Sequence, residues 1–414
     1  MFRVAVFLPI AFQVLTTVFA LYDGYKVYDV YCKTFIDKEV LTNLSKLSDD
    51  YDFIHLTRTF QDPDRVVVPP DLQHDFEMVL DSSLISYNVF NEDVSKTKVS
   101  FFTQSFSVSF NSFKYHSYSD MLGYLDYLSR SYPDLVSVKE FGQTFLDRPM
   151  KAIYISNDKS KVKTKNVALV DAGIHAREIA APATALFIIN QLVENYSSNK
   201  DLVDAFDWVI VPSMNPDGYE FVRSGYILWR RTMTSYFPCA GADPNRNFDF
   251  HWSKNGSSPI PCTQNYQGPK PFSEKETRAL RDLMFSVADR AKLYLTIHSY
   301  GRYLLTPWGH TSDYSDNYED VLSVAMAGRN AMYEVSGSNY TVGSSTNVLY
   351  AASGSSEDYA HGVVGIPIAL TMELPAGGTI GFNPPERSVQ SIVSESFLGI
   401  SAMAKRVHEI YPNE

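Results

Sequence analysis

The sequence is poor in cysteine: its 414 residues include only Cys32, Cys239 and Cys262. So few thiols exclude a fold held together by many disulfides, and they suit a secreted protein with one disulfide and one spare thiol. Cys239 and Cys262 both lie in loop sequence rich in Pro, Gly and Ser. We therefore predict that these two form the disulfide.

Two further absences limit the partners of the protein. Positive charge is not in excess, because the sequence has 36 Lys and Arg but 47 Asp and Glu, which gives a net charge of −11. This balance disfavours nucleic acid and anionic membranes as partners of the whole molecule. After residue 20 no apolar run is long enough to cross a bilayer. We expect a soluble monomer, large enough for two domains.

The one long apolar stretch is residues 1–20, MFRVAVFLPIAFQVLTTVFA. It follows a basic start at Arg3 and ends in small residues, so it predicts a secretory signal peptide cleaved near Ala20. A membrane anchor is the alternative, which Pro9 and Gln13 disfavour. Secretion receives weak further support from sequons at Asn43, Asn195, Asn255 and Asn339.

Residues 21–98 predict a small α+β domain. Strand-like and helix-like stretches alternate in the order βαββαβ, which is typical of a split-βαβ unit. The stretches are 26–32, 38–47, 51–56, 65–70, 71–80 and 83–90. From about residue 91 to residue 113 the sequence turns polar and Ser/Thr-rich, which predicts a linker, assigned to residues 99–113. Because lysines such as Lys98 precede it, we expect a trypsin-like protease to cut there, although a simple surface loop fits the same residues.

Residues 114–414 predict an α/β domain. Continuous apolar strands imply burial on both faces, hence a mixed, mostly parallel sheet flanked by helices. The predicted strands are 150–156, 166–174, 207–214, 292–300 and 366–374, and the predicted helices are 179–194, 274–289, 318–335 and 386–409. In such sheets the binding and catalytic residues lie beyond the carboxyl ends of the strands.

Metal-binding residue types stand at these strand ends. GIHARE places His175 and Glu178 three residues apart just after one strand, and His298 ends another. Two histidines and a glutamate form a common zinc site that leaves a position for water. Asp243 could orient a histidine ligand from behind. Each residue alone would more often be an ordinary core or surface group.

Several motifs together resemble one family. In order along the chain they are GIHARE, NPDG, WRR, DPNRNF, HSYGRYLLTPWG, YAASGSSEDY and TMEL. They are similar to the motifs of the digestive zinc metallocarboxypeptidases of the carboxypeptidase A/B family. The βαββαβ unit resembles the family's inhibitory activation domain, and residues from about 104 onward resemble the mature enzyme. The resemblance implies a secreted zymogen, active in the digestive lumen, with one zinc ion per chain.

The resemblance also implies roles for individual residues. His175, Glu178 and His298 would bind zinc. Glu373 would take a proton from water and return one to the leaving amine, while direct attack by Glu373 on the substrate stays open. Arg230 would stabilise the oxyanion. Its neighbour Arg231 matches no role and is expected to be a surface charge.

Recognition of the substrate would use further residues that the resemblance assigns. Arginine suits a terminal carboxylate because its planar fork binds both oxygens. Tyr350 matches a mobile tyrosine that closes over the bound end. The other matching substrate-binding residues are Arg177, Asn245, Arg246, Ser299 and Tyr300. One departure is Pro375, where the mammalian pancreatic enzymes carry arginine; no role above depends on it.

Glu357 matches the floor of the specificity pocket. An acidic floor would favour substrates ending in lysine or arginine, because a buried carboxylate facing an apolar side chain would stay unpaired. Gly309 and Ser345 match small pocket-lining positions, and the longer reach of Glu favours lysine. Asp358 receives no chemical role. Two alternatives stay open, an A-type or broad-specificity enzyme and a non-catalytic peptide-binding protein.

Overall fold

The computed structural model describes residues 22–47, 50–60, 62–97, 110–158 and 164–413. The predicted signal peptide and Lys98 lie outside the described residues. The chain divides into two compact units, one within Met1–Val99 together with Ser224–Ile227, the other within Ser100–Arg223 and Leu228–Glu414.

The first unit is a four-stranded sheet with two helices. Its strands are β1 (Lys26–Tyr31), β2 (Asp52–His55), β3 (Asp64–Val68) and β4 (Ser86–Asn91), and its helices are α1 (Phe35–Leu47) and α2 (Gln73–Ser82). The sheet order is β2-β3-β1-β4 with antiparallel pairs. Tyr28, Leu41 and Phe76 are fully buried in its core. The predicted βαββαβ order is confirmed, and Cys32 is a buried free thiol.

The second unit contains eight strands and nine α-helices among the described residues. The strands are β5 (Val136–Gln143), β6 (Pro149–Ile155), β7 (Asn166–Ala172), β8 (Phe206–Val211), β9 (Ala291–Ser299), β10 (Tyr303–Thr306), β11 (Thr341–Ser344) and β12 (Ile368–Leu374). The helices are α3 (Tyr118–Ser131), α4 (Ala180–Val193), α5 (Lys200–Ala205), α6 (Pro216–Arg223), α7 (Lys275–Val287), α8 (Tyr318–Ser336), α9 (Ser345–Val348), α10 (Ser356–Tyr359) and α11 (Glu386–Ile410).

The eight strands form one mixed sheet in the order β11-β10-β12-β9-β7-β8-β6-β5. The central strands β12, β9, β7 and β8 run parallel, whereas β5, β6 and β10 pair antiparallel with neighbours. All residues of β7 and β8 are buried, as their apolar runs predict. The predicted fold class is confirmed, although β5, β10 and β11 were not predicted.

The parallel register brings the polar strand ends together. His298 on β9 stands opposite Glu373 on β12. The neighbouring strand β7 ends at Ala172, and GIHARE follows it directly. Side chains from three adjacent strand ends therefore meet at one edge of the sheet, as expected for α/β folds.

Three further features of the structure concern the predicted secretion of the protein: the disulfide, the sequon asparagines and the helices. Cys239 and Cys262 form a disulfide, as predicted. The four sequon asparagines are exposed. Within the described ranges, no helix is both long enough and apolar enough to span a membrane.

Candidate active site

A tight turn after β7 presents His175 and Glu178. Gly173 begins the turn with a φ of +66°, and a Cβ there would lie 2.8 Å from Pro182. Glycine is thus required by both conformation and space. The turn places His175 Nδ1 2.7 Å from Glu178 Oε1, with both side chains buried.

His298 completes a convergent group. Its Nδ1 lies 3.2 Å from His175 Nδ1 and 3.1 Å from Glu178 Oε2. Glu178 Oε2 also accepts a hydrogen bond from Ser299 N at 3.1 Å, which orients the carboxylate. Burial alone would raise the pKa of Glu178, but the two imidazoles outweigh it and hold that pKa below its ordinary value.

These three residues fit a zinc ion. One ligand atom from each lies within 4.8 Å of the others. Ligand atoms about 2.1 Å from a tetrahedral zinc are themselves ~3.4 Å apart, close to the distances between the two Nδ1 atoms and the carboxylate. Two imidazoles and a carboxylate are also ligands that zinc prefers. The group is therefore a candidate zinc site of the type that keeps a position free for water.

Asp243 joins this group to Arg230. Its Oδ1 lies 3.1 Å from His175 Nε2, and its Oδ2 accepts from Arg230 Nε and Nη2 at 3.0 and 2.8 Å. Asp243 is wholly buried, which alone would raise its pKa, but Arg230 and His175 hold the pKa well below its ordinary value. The carboxylate thus orients both side chains from behind.

Arg230 and Glu373 are far apart in the sequence, but the charge of Arg230 acts on Glu373. Arg230 Nη1 is 3.7 Å from Glu178 Oε1. Burial raises the pKa of Glu373 to about 8, while the charges of His298 and Arg230 oppose that rise. Glu373 Oε2 is enclosed and has no hydrogen-bond partner among the described residues. This oxygen can therefore contact a water molecule or a substrate atom.

The loop that carries Arg230 is fixed by a buried carboxylate that was not predicted. Glu274, at the start of α7, accepts hydrogen bonds from the hydroxyls of Thr232, Thr234 and Tyr236, each at 2.6 Å. The sequence could not predict these hydrogen bonds, because the acceptor lies about 40 residues from the hydroxyl donors.

The residues expected to bind the substrate carboxylate lie in buried surroundings. Asn245 Oδ1 accepts from Ser356 N at 2.8 Å, and Arg246 Nε donates to Gly256 O at 2.9 Å. The guanidinium of Arg177 lies 4.5 Å from the centre of the Phe382 ring. Tyr350, in contrast, is 40 % exposed, which leaves it room to move.

Glu357 is brought to the same region by the segment that follows Tyr350. Gly354 approaches Arg246 so closely that a Cβ would lie 2.6 Å from its carbonyl oxygen, and Ser356 N bonds to Asn245. Glu357 then falls in α10, 3 % exposed, with no partner for Oε2 among the described residues. Burial, and next the charge of Asp358, raise the pKa of Glu357 to about 6.

The remaining predicted pocket residues are buried as well. A Cβ on Gly309 would lie 3.5 Å from Glu357 Oε1, so the glycine leaves open the space beside the carboxylate. Ser345 is 6 % exposed, and Ser299 Oγ is buried without a partner in the described part of the chain. Tyr300 packs its ring against Phe382, with 4.9 Å between centroids.

The expectation that Arg231 is a surface charge is wrong. Arg231 is 6 % exposed, and its Nη1 donates to Pro261 O at 2.7 Å and to Thr263 O at 3.2 Å. These carbonyls flank Cys262, so Arg231 and the disulfide fasten the same loop. Sequence could not show this because the acceptors are backbone atoms some 30 residues away.

A separate cavity of about 620 Å³ lies at the amino ends of β7 and β8, lined in part by Val167 and Asp207. Asp207 is paired there with Lys165 and Arg290. None of the predicted site residues lines this cavity. The candidate zinc site lies at the opposite, carboxyl ends of these strands.

Comparison with known proteins agrees with this geometry. The model of the zinc carboxypeptidase family matches residues 121–399, and that of the carboxypeptidase activation peptide matches residues 28–98. Carboxypeptidase B of Astacus astacus is 39 % identical over 300 residues, covering 72 % of this chain and 98 % of its own length.

Relatives that match nearly the whole chain carry both A and B names. Carboxypeptidase B of Helicoverpa zea and zinc carboxypeptidase A 1 of Drosophila melanogaster are each 35 % identical and each cover 94 % of this chain, with 95 % and 93 % of their own lengths. The crystal structure of carboxypeptidase A from Helicoverpa armigera superposes with a TM-score of 0.86 at 29 % identity, covering 94 % of this chain and 99 % of its own. The chain therefore belongs to the zinc carboxypeptidase family of hydrolases and carries an activation peptide ahead of its catalytic domain.

Proposed function

We propose that the chain is the secreted zymogen of a carboxypeptidase that removes basic residues, lysine in particular, from the C-termini of peptides. The observation that carries this proposal is the state of Glu357. Its carboxylate is buried, and its Oε2 has no partner among the described residues. A buried carboxylate without a cation is unfavourable, and the side chain of a substrate lysine or arginine supplies that cation.

The lining of the pocket supports the same preference. Gly309 and Ser345 are small, so a long substrate side chain can pass them to reach Glu357. Glutamate reaches one methylene further than aspartate and shortens the pocket, which favours the slender ammonium group of lysine over the wider guanidinium of arginine. Two of the relatives are named carboxypeptidase B, which supports this proposal, whereas the A names of the Drosophila melanogaster relative and of the Helicoverpa armigera structure support the A-type or broad-specificity alternative.

We assign the zinc ligands to His175 Nδ1, His298 Nδ1 and the carboxylate of Glu178. A zinc ion bound there would lower the pKa of water and polarise the scissile carbonyl. Asp243 holds the ring of His175 in its orientation through Nε2. Such a partner behind a ligand also raises the affinity for the metal.

The proton transfers are assigned to Glu373. Its unpartnered Oε2 accepts a proton from the attacking water and later delivers one to the nitrogen of the leaving residue. Arg230 donates to the oxygen on which negative charge develops, and Asp243 keeps its guanidinium fixed before the reaction begins. Preorganisation of this kind avoids reorienting charge during the reaction.

Recognition of a free C-terminus is assigned to Asn245, Arg246 and Tyr350. The bidentate fork of Arg246 suits a carboxylate, and the exposed Tyr350 can close over it. Arg177, Ser299 and Tyr300 would contact the adjoining substrate backbone. An exopeptidase needs such a clamp because an internal peptide segment has no carboxylate to offer.

The zymogen part of the proposal rests on the activation peptide. We infer that residues 21–98 inhibit the domain of residues 114–414 and that cleavage near Lys98 by a trypsin-like protease releases it. The disulfide agrees with an oxidising compartment outside the cell. Trypsin treatment should raise peptidase activity and produce a new N-terminus between residues 97 and 113.

The specificity is tested with matched peptides that differ only in a final Lys, Arg, Phe or Glu, given to the trypsin-activated protein. We expect the highest kcat/KM for Lys, and Glu357→Ile should shift preference toward Phe. Glu357→Gln keeps the size of the side chain but removes its charge. The matched control is Glu334→Gln, at an exposed position of α8. Preferred hydrolysis of the Phe peptide by the unaltered protein would refute basic specificity.

A further inference from the structure

Asp358 follows Glu357 in the chain but has a different environment. It is wholly buried, and three N–H groups from one segment donate to it. Gly309 N reaches Oδ1 at 2.8 Å, and His310 reaches Oδ2 through its backbone N at 3.0 Å and its Nδ1 at 2.8 Å. The His310 ring therefore carries its proton on Nδ1.

Gly309 is held from both sides beside the two carboxylates. Its N–H is bound by Asp358, while its carbonyl oxygen accepts from Ala352 N at 2.6 Å and from Thr346 Oγ1 at 2.5 Å. The Cβ position of Gly309 is 3.5 Å from Glu357 Oε1 and 3.6 Å from Asp358 Oδ2. The backbone of Gly309 thus lies beside both carboxylates and is bonded to one of them, Asp358.

The imidazole of His310 is itself fixed by aromatic neighbours. It stacks on His251 with 3.8 Å between ring centroids and an angle of 8°. Trp308 and Phe250 each lie 5.2 Å from it. A ring packed in this way can hold a carboxylate in one orientation, because the donor has few other positions available.

We propose that Asp358 and His310 form a positioning pair that sets the charge selectivity of the pocket whose floor is Glu357. Asp358 holds the backbone of Gly309 beside Glu357 through the hydrogen bond from Gly309 N. It also adds a second negative charge near the pocket floor. His310 supplies the third donor to Asp358 and so keeps that charge buried and fixed. The pair acts through Glu357, so this inference rests on the proposed function.

The test compares two substitutions of His310 in the trypsin-activated protein. His310→Asn places an amide donor near the position of Nδ1, whereas His310→Phe keeps the aromatic packing and loses the donor. Losing one of its three donors leaves Asp358, and through it the backbone of Gly309, less firmly held beside Glu357. We therefore expect His310→Phe to raise KM for the Lys peptide by about tenfold, with kcat nearly unchanged, and His310→Asn to retain most of the selectivity.

The control is His361→Phe. His361 belongs to the same cluster, with its ring 5.0 Å from Trp308, but its Nδ1 pairs with Ile366 O at 3.1 Å. This variant should leave the ratio of kcat/KM for Lys and Phe peptides unchanged. Should His310→Phe fail to fold, His310→Gln, which moves the donor away from the Nδ1 position, is measured in its place.

The inference is overturned if loss of the donor leaves the Lys to Phe ratio as in the unaltered protein, or lowers kcat/KM for both peptides in parallel. A purely structural role would produce that parallel loss. The ratio in the unaltered protein tests the proposed function, and the change in ratio on substitution tests the positioning pair. The two can therefore fail separately.

Discussion

Asp243 holds Arg230 through a single carboxylate oxygen, Oδ2, which accepts from Nε at 3.0 Å and from Nη2 at 2.8 Å. The other oxygen, Oδ1, lies 3.1 Å from His175 Nε2. One buried carboxylate thus fixes a proposed zinc ligand and the proposed oxyanion donor relative to each other. A change at Asp243 should affect both metal affinity and rate.

The first prediction concerns Asp243→Asn. An amide offers only one acceptor oxygen, so its NH₂ group must face either the imidazole or the guanidinium. We expect zinc affinity to fall by about 10- to 100-fold and kcat, measured in saturating zinc, to fall by about 10²-fold or more. Asp249→Asn, at an exposed position nearby, is the control. Full recovery of kcat in saturating zinc would show that Asp243 does not position Arg230.

The second prediction separates catalysis from mere peptide binding. Glu373→Gln removes the proton acceptor but none of the three proposed ligands. We expect one zinc per chain to be retained while kcat falls by at least about 10²- to 10⁴-fold. A chelator should abolish the activity of the unaltered protein, and added zinc should restore it. Equal activity of the Gln variant would remove Glu373 from the mechanism.

The third prediction is a pH dependence of specificity. Burial, followed by the charge of Asp358, raises the pKa of Glu357 to about 6. The pocket floor is therefore ionised above that pH and neutral below it, whereas a substrate lysine stays charged throughout. Between pH 8 and pH 5 the ratio of kcat/KM for Lys and Phe peptides should fall by about tenfold.

Taking the ratio cancels any titration that affects both peptides equally. In Glu357→Gln the ratio should be low and independent of pH, because no charge remains to be lost. A ratio that changes with pH in the same way in this variant would assign the titration to another group.

The sequence predicted the centre of the fold and the metal-binding residue types at its strand ends because both depend on local patterns, whereas the other residues of the candidate site were predicted from the family resemblance. The strands β7, β9 and β12 are apolar runs, and polar residues stand at their ends. The edge strand β5 was missed because most of its residues are half-buried or exposed and two of them are charged. The strands β10 and β11 were missed because each has only four residues.

Local sequence patterns could not predict the contacts between segments that are distant in the chain. Arg231 looked like a surface charge, since nothing local indicates that carbonyls near Cys262 will bind it. His310 was not singled out, because its partner Asp358 is 48 residues away. In both cases burial of the charged or polar group depends on tertiary packing.

The fourth prediction concerns a buried carboxylate outside the site. Glu276, in the first turn of α7, is 1 % exposed; its Oε1 accepts from Phe145 N at 3.3 Å, and its Oε2 has no partner in the described residues. Burial raises its pKa to about 7. Between about pH 4.5 and 7 the folded state therefore holds a proton that the unfolded state has released, so folding stability decreases as pH rises through this window.

Glu276→Gln should remove that part of the pH dependence. Relative to the unaltered protein, the variant should gain on the order of 2–3 kcal/mol in the free energy of unfolding between pH 5 and pH 8, measured by urea unfolding at both pH values. The exposed Glu334→Gln should follow the unaltered protein. If Glu276→Gln follows it too, the carboxyl of Glu276 is ionised across the whole range and its burial is compensated by a partner not yet identified.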